Sequence, residues 1–420
     1  MSSTPLPSVL VIGAGMYVCG RGTPGMGTIL PTLVQAQADG LIGDLSVAAT
    51  SQESVRTLRE KLAEINLRLE TNVTVHIYPE HGNDSNAYRA ALAELHRPAC
   101  VVVAVPDHLH ADIAAEVIEA GLPLLVVKPL TATVAEAHRL IDLAQTRQVY
   151  GAVDFHKRFD EANLLLRQTL ADGRLGEVRH IAVEFSQRRE IQKTFASWVQ
   201  QTNVFQYLGV HYVDLIAFVT GARPVRVVAT GQPRVSVREG LWRLDAIQAV
   251  VEWEGAPSGN AFGSTILTNW VEPDRSSAMS HQTIKVLGTR GRYDSDQTHR
   301  GVQLITEAGI EEVNPYFSQL YRAAHGKPVV EGYGPRSIRQ FLTDVQDLVD
   351  GTRQVSDLIP TRPSFQQALI STAVVEAVNR SLTQGELWVE VDTKALMESE
   401  RGTRRLGSGK APRTKAAVAS

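Results

Sequence analysis

The sequence predicts a two-domain α/β chain: a doubly wound parallel sheet over residues 1–152, then an α+β domain with a large, mostly antiparallel, open-faced sheet over 153–395. Three observations predict it. Short runs of Val, Ile, Leu and Ala alternate with helical patterns through the first 150 residues; a glycine-rich turn directly follows the first run; and beyond about Val153 the extended segments begin to alternate in polarity. Near-continuous apolar strands are what a sheet covered by helices on both faces requires. Strand–helix alternation builds βαβ units.

Taken in order, strands are expected at Val9–Ile12, Leu45–Thr50, Val73–Tyr78, Cys100–Val105 and Leu122–Val126. Helical patterns fall between them at Ser54–Ile65, Asn86–Leu95, His110–Ala120 and Val134–Gln145. In the second domain a helix over Glu161–Ala171 ends at Asp172-Gly173, and Val178–Arg188 alternates as a half-buried strand should. A helix over Val204–Thr220 is stopped by Gly221 and Pro224. Extended segments follow at Val225–Thr230, Ala246–Glu254, Ala261–Thr268 and Gln282–Leu287, then helices at Arg336–Val349 and Ser364–Ser381. One face of this sheet is expected to stay uncovered in the single chain, which favours self-association. Residues 396–420 form a basic, Gly/Ala/Ser-rich tail expected to be disordered; its last 20 residues carry six Lys/Arg and no acid.

Composition narrows the function. With 43% hydrophobic and 21% charged residues the chain can bury a sizeable core. A net charge of −3 argues against a dedicated nucleic-acid binder, which normally carries a basic face. Two cysteines, Cys19 and Cys100, do not make a disulfide framework, and no CxxC or HExxH metal pattern occurs, so no metal is expected. No apolar run reaches the roughly 20 residues of a membrane span, and the N-terminus lacks a basic leader. Cytoplasmic location is the expectation.

Gly13-Ala14-Gly15 closes the first strand. A glycine pair there lets backbone approach a pyrophosphate while the next helix offers its N–H groups, so Gly13, Gly15 and Met16 are dinucleotide-contact candidates. The usual third glycine would fall at Val18. Instead the chain runs through Gly20, Gly22, Gly25 and Gly27, a lengthened phosphate loop with the helix expected near Met26 and with Arg21 able to reach an anion. A surface loop that never meets cofactor is the alternative. The second strand ends Ala48-Ala49-Thr50-Ser51, with no acid before Glu53 and with Arg56 following. Small polar residues and a cation favour NADP over NAD, since an acid would bind the ribose 2′-hydroxyl.

The stretch CVVVAVPDHLHADIAAEVIEAGLPLLVVKPLT resembles the Gfo/Idh/MocA family, as do HKRFDEANLLLRQTLADGRLGEVRHIAVEF, LGVHYVDLIAFVTGARP and IKVLGTRGRYDSD. The resemblance covers roughly residues 8–390. It implies a Rossmann domain and hydride transfer between NAD(P) and a carbinol or carbonyl carbon of a sugar, cyclitol or related polyol. The family's motif lysine falls on Lys128 and its catalytic histidine on His211. Val105, Pro106, Asp107 and His110 match the motif that lines the cofactor, and Pro129 matches a proline often preceded by a cis bond. A homodimer or homotetramer is implied. Three departures stand out: Val127 replaces the Glu before the lysine, Tyr207 replaces an Asp four residues before the histidine, and the phosphate loop is long.

Oxidising a secondary alcohol needs a base for the hydroxyl proton and a cation for the developing alkoxide. His211 suits the first task. On an unbroken helix Tyr207, His211 and Asp214 would share a face at i, i+4 and i+7, so Tyr207 could relay a proton; a core histidine is the alternative. Lys128, at the carboxyl end of an apolar strand, would have its pKa lowered by burial; a solvated loop lysine is the alternative. At the domain junction His156, Lys157 and Arg158, with Arg188 and Arg189, are candidate substrate contacts, and Asp214 joins them. Trp198 and Trp270 could stack on a sugar ring or fill the core. Two other functions stay open: a redox-neutral lyase, hydrolase or epimerase that uses its nicotinamide transiently, and a non-catalytic ligand-binding protein.

Overall fold

The computed structural model describes residues 5–195, 198–233, 244–255 and 260–392; the tail at 396–420 lies outside them. Six parallel strands build the first sheet: β1 (Ser8–Ile12), β2 (Leu45–Ala48), β3 (His76–Tyr78), β4 (Ala99–Val103), β5 (Leu124–Val127) and β6 (Gly151–Asp154). Their order is β3-β2-β1-β4-β5-β6, so the winding reverses between β1 and β4, the place where such sheets bind ligands at their carboxyl ends. β1 and β4 are buried throughout, as the apolar runs require. β6 was not anticipated, because Gly-Ala-Val-Asp is too short and mixed to read as a strand.

The connecting helices are α1 (Met16–Cys19), α2 (Ile29–Ala38), α3 (Gln52–Leu69), α4 (Ala87–Glu94), α5 (His110–Glu119) and α6 (Val134–Arg147). Side-chain caps set two of the starts. Ser51 accepts from the Ser54 N–H at the head of α3, and Thr133 with Glu136 forms a reciprocal capping box on α6. The expectation of a helix from Met26 needs correction. One helical turn forms directly after the glycine pair, and the long helix starts only at Ile29. The reason lies in the intervening glycines: Gly27 has φ +73°, and a Cβ there would sit 2.7 Å from the Cys19 and Gly20 amides, so the loop folds back tightly onto α1.

The second domain carries α7 (Glu161–Ala171), α8 (Ile191–Thr194) and α9 (Val210–Thr220) against strands β7 (Val178–Arg188), β8 (Arg223–Pro233), β9 (Leu244–Glu254), β10 (Ala261–Glu272), β11 (Ser280–Gly288) and β12 (Arg292–Asp296). Two hairpins follow, β13 (Gln303–Thr306) with β14 (Gly309–Glu312) and β15 (Gln319–Arg322) with β16 (Pro328–Glu331), then α10 (Tyr333–Val349), α11 (Val355–Leu358), α12 (Phe365–Thr383) and β17 (Val389–Glu390). The large sheet runs β12-β11-β7-β10-β9-β8-β17, and only the central β7–β10 pair is parallel. Ile247, Ala249, Val251, Ile266 and Val183 on one face join a core with Val213 and Ile216 of α9 and Val374 of α12. The alternate residues Ala246, Val250, Thr265 and Leu267 are only half-buried, so the other face is open in the single chain.

The chain then returns to the first domain. Ile338, Phe341, Leu342 and Val345 of α10 pack into the core that holds Val9, Leu30, Leu33 and Val47. A helix that the sequence placed in the second domain thus covers a face of the first sheet, because its apolar stripe at i, i+3, i+4 and i+7 fits there.

Candidate functional site

The site forms where the carboxyl ends of β1, β4, β5 and β6 meet α9. Gly13 has φ +117°, and a Cβ there would collide with the Ala104 carbonyl, so only glycine lets β1 turn this close to β4. Above Gly15 the space is open: a Cβ built there meets nothing within 4 Å. That cradle at the reversal of the winding fits a dinucleotide. Met16 is half-buried beside it, and Val105 and Pro106 are half-buried at the end of β4. The Lys128–Pro129 peptide is cis.

Arg21, far along the loop, reaches the end of β2. Its Nη1 donates to Ser54 Oγ at 2.7 Å, and Ser54 Oγ lies 2.9 Å from Ser51 Oγ. Thr50 is exposed just before this trio, and Arg56 is exposed on α3. His110 is different: it is buried, with Nδ1 2.7 Å from the Pro129 carbonyl and Nε2 3.0 Å from the Val105 carbonyl. It therefore sits between two candidate cofactor residues and is turned away from a ligand. Burial pushes its pKa down, so one nitrogen donates and the tautomer decides which.

Lys128 extends over the ring of Tyr207, with Nζ 3.5 Å from the centroid, and donates to the Tyr207 carbonyl at 2.7 Å. Burial holds its pKa at about 7, against the opposing pull of Asp107 and Asp154. His211 is buried; Nδ1 has no hydrogen-bond partner. Desolvation first, then Lys128, His156 and Lys157, push its pKa well below the ordinary value, so it is a neutral imidazole able to accept a proton. The ring of His156 lies 4.9 Å from that of His211.

Several expected roles change. The relay from Tyr207 to His211 does not form. Residues Phe205–Gly209 make a π-helical turn ahead of α9, so a spacing of four no longer completes a turn. Tyr207 instead packs against Phe195, Trp198 and Trp270, with centroids 5.0, 6.0 and 5.9 Å away; Trp270 is a core residue and Trp198 is half-buried against that core. Arg158 and Asp214 meet each other: Nε and Nη2 donate to the carboxylate at 2.8 and 2.6 Å, and Nη1 donates to Gln367. Two nitrogens are engaged in a buried ion pair and the third in the bond to Gln367, so neither residue faces a substrate. Lys157 is buried against Gln282, Gln297 and Tyr212. Arg188 donates to the Ala278 and Ser276 carbonyls, and Arg189 pairs with Asp274. Two participants escaped sequence reasoning, Tyr17 and Asp154; the signal for the second was an acid ending an otherwise apolar segment, Gly-Ala-Val-Asp.

Residues 8–155 match an oxidoreductase family with an NAD-binding Rossmann fold, and residues 164–294 match the GFO/IDH/MocA C-terminal domain. The chain belongs to the Gfo/Idh/MocA family. Inositol 2-dehydrogenase of Rhizobium meliloti is 20% identical over 286 residues, 68% of this chain and 78% of that protein. Levoglucosan dehydrogenase of Pseudarthrobacter phenanthrenivorans is 23% identical over 318 residues, covering 69% and 79%. Among solved structures, an inositol dehydrogenase homolog from Azotobacter vinelandii, complexed with NADH and myo-inositol, superposes with a TM-score of 0.66 at 20% identity, covering 92% of this chain and 98% of that one. This Gfo/Idh/MocA member is therefore an NAD-binding oxidoreductase by family and by fold. Among its described residues no group of His, Cys, Asp or Glu is placed to hold a metal ion, and no helix is long and apolar enough to cross a membrane.

Proposed function

We propose that the protein is an NAD(P)-dependent dehydrogenase that acts on a secondary alcohol of a sugar, cyclitol or related polyol. The observation that carries this reading is the juxtaposition of a neutral, buried His211 and the ammonium of Lys128 beside the cofactor cradle. A bound nicotinamide would supply the hydride acceptor. His211 takes the hydroxyl proton, and Lys128 donates to the same oxygen and stabilises the alkoxide as it develops. His156, whose side chain is 12% exposed beside His211, binds the substrate. Gly13, Gly15, Met16, Val105, Pro106 and Pro129 hold the cofactor.

NADP is the proposed preference, through Arg21, Thr50, Ser51 and Arg56 at the end of β2, where no acid stands to bind a free 2′-hydroxyl. A homodimer or homotetramer through the open face of the large sheet, in the cytoplasm, completes the reading. The polyol substrates named for the relatives make the substrate class reasonable. Fluorescence titration of the purified protein with NADPH and NADH, after a check for retained cofactor, is the test. Tighter binding of NADPH followed by turnover of a polyol supports it; preference for NADH removes the NADP part alone. Binding of neither, with none retained, refutes the oxidoreductase reading.

A further inference from the structure

β6 ends in a carboxylate that the proton chemistry above does not use. The Asp154 side chain is 2% exposed, and each oxygen accepts a hydrogen bond: Oδ2 from the Tyr17 hydroxyl at 2.6 Å and Oδ1 from Ser337 Oγ at 2.6 Å. One donor comes from the phosphate loop and the other from α10, so two separate segments aim this group. Burial alone would raise its pKa; His156, Ser337 and Tyr17 together hold it below the usual value.

The third neighbour is His156. Its Nδ1 is buried, has no hydrogen-bond partner and lies 3.9 Å from Asp154 Oδ2. The ring is fixed by packing, 5.6 Å from Tyr333, 5.3 Å from Phe317, 6.1 Å from Tyr17 and 4.9 Å from His211. Packing sets where the imidazole lies but not which nitrogen carries hydrogen. A lone pair on Nδ1 would face a carboxylate oxygen, whereas an N–H there faces it favourably. The carboxylate positions expected from the family motifs, 127 and 207, hold Val and Tyr, so neither supplies this charge.

We propose that Asp154 is a positioning residue that fixes His156 as the Nδ1–H tautomer, leaving Nε2 to accept a substrate hydroxyl beside the one His211 deprotonates. The inference rests on the assignment of His211 as the base. Tyr17 ties this carboxylate to the phosphate loop, so the loop that meets the cofactor also supports the histidine that meets the substrate.

The test uses the full chain labelled with 15N-histidine, in which NMR separates Nδ1–H from Nε2–H imidazoles, with His156→Gln identifying the signal. The expected result is an Nδ1–H tautomer for His156 in the native protein and loss of that preference in Asp154→Asn. An Nε2–H tautomer in the native protein, or no change in the variant, overturns the proposal. On a polyol that turns over, Asp154→Asn is expected to raise KM about tenfold while kcat changes less than about threefold, the size of one neutral hydrogen bond between substrate and Nε2. His156→Gln should do the same, and the double variant should be no worse than either single one. A lowered Tm with KM unchanged makes Asp154 merely structural and overturns the proposal. Should Asp154→Asn fail to fold, Ser337→Ala keeps the carboxylate while loosening it, and must still weaken the tautomer preference. If no polyol turns over, the dehydrogenase reading fails, yet the NMR result still decides the role of Asp154.

Discussion

Lys128 meets a ring face and a backbone carbonyl where a carboxylate would stand in a more typical relative. A desolvated ammonium over an aromatic face gains roughly 2 kcal/mol. The lysine is accordingly held in place yet remains close to losing its proton, with a pKa of about 7. The sign of the pH dependence follows. If the ammonium stabilises the alkoxide, kcat/KM for alcohol oxidation should fall as pH rises through about 7, and Lys128→Arg, which stays charged, should flatten that limb. A profile that instead rises through 7 would show that the lysine acts unprotonated. His211→Ala should lower kcat by roughly 10²–10⁴-fold, the usual contribution of a general base, with cofactor affinity kept. Stopped-flow measurement of NAD(P)H formation checks both.

Two elements decide which of the sequence-level expectations survive. The βαβ series was legible where a strand is a compact apolar run, as in β1, β4 and β5, and where a helix start is capped, as by Ser51 and Thr133. The phosphate loop was legible as a loop, but its one-turn helix was not. Met16–Cys19 is too short for periodicity to register, and its fold depends on contacts with Gly27. The shared face of Tyr207, His211 and Asp214 failed for another reason: a π turn has no composition of its own, so the four-residue spacing was counted as a full turn. Asp154 was hidden because its meaning comes from Tyr17 and Ser337, 137 and 183 residues away. The loop also carries a direct test of cofactor choice. Arg21 donates to Ser54 in the first turn of α3, just after β2, and Arg21→Ala should weaken NADPH about 10–100-fold while leaving NADH within about twofold, as loss of a charge-assisted contact to a 2′-phosphate predicts. Equal loss for both cofactors in a fluorescence titration would place Arg21 on the pyrophosphate instead.

At the scale of the whole chain, the two domains are sewn together by segments that cross between them. α10 lays Ile338, Phe341, Leu342 and Val345 into the core of the first sheet, and Arg362 reaches Asp344 at 2.7 Å beside it. Such sharing should make unfolding a single event rather than two. Phe341 is 2% exposed, and Phe341→Ala removes a buried aromatic ring from the core of the first sheet, a change that costs about 3–5 kcal/mol when the cavity does not collapse. Differential scanning calorimetry should therefore show one transition in the native protein and one transition, several degrees lower, in the variant. If the variant instead shows two transitions, with the large antiparallel sheet melting at its native temperature, the domains are independent and α10 is only a cover. The prediction depends on where the lost energy is felt. The later helix α12 packs on α6 of the first domain and on β8 and α9 of the second, so a core defect at Phe341 reaches the large sheet through it, whereas independent domains leave that sheet untouched.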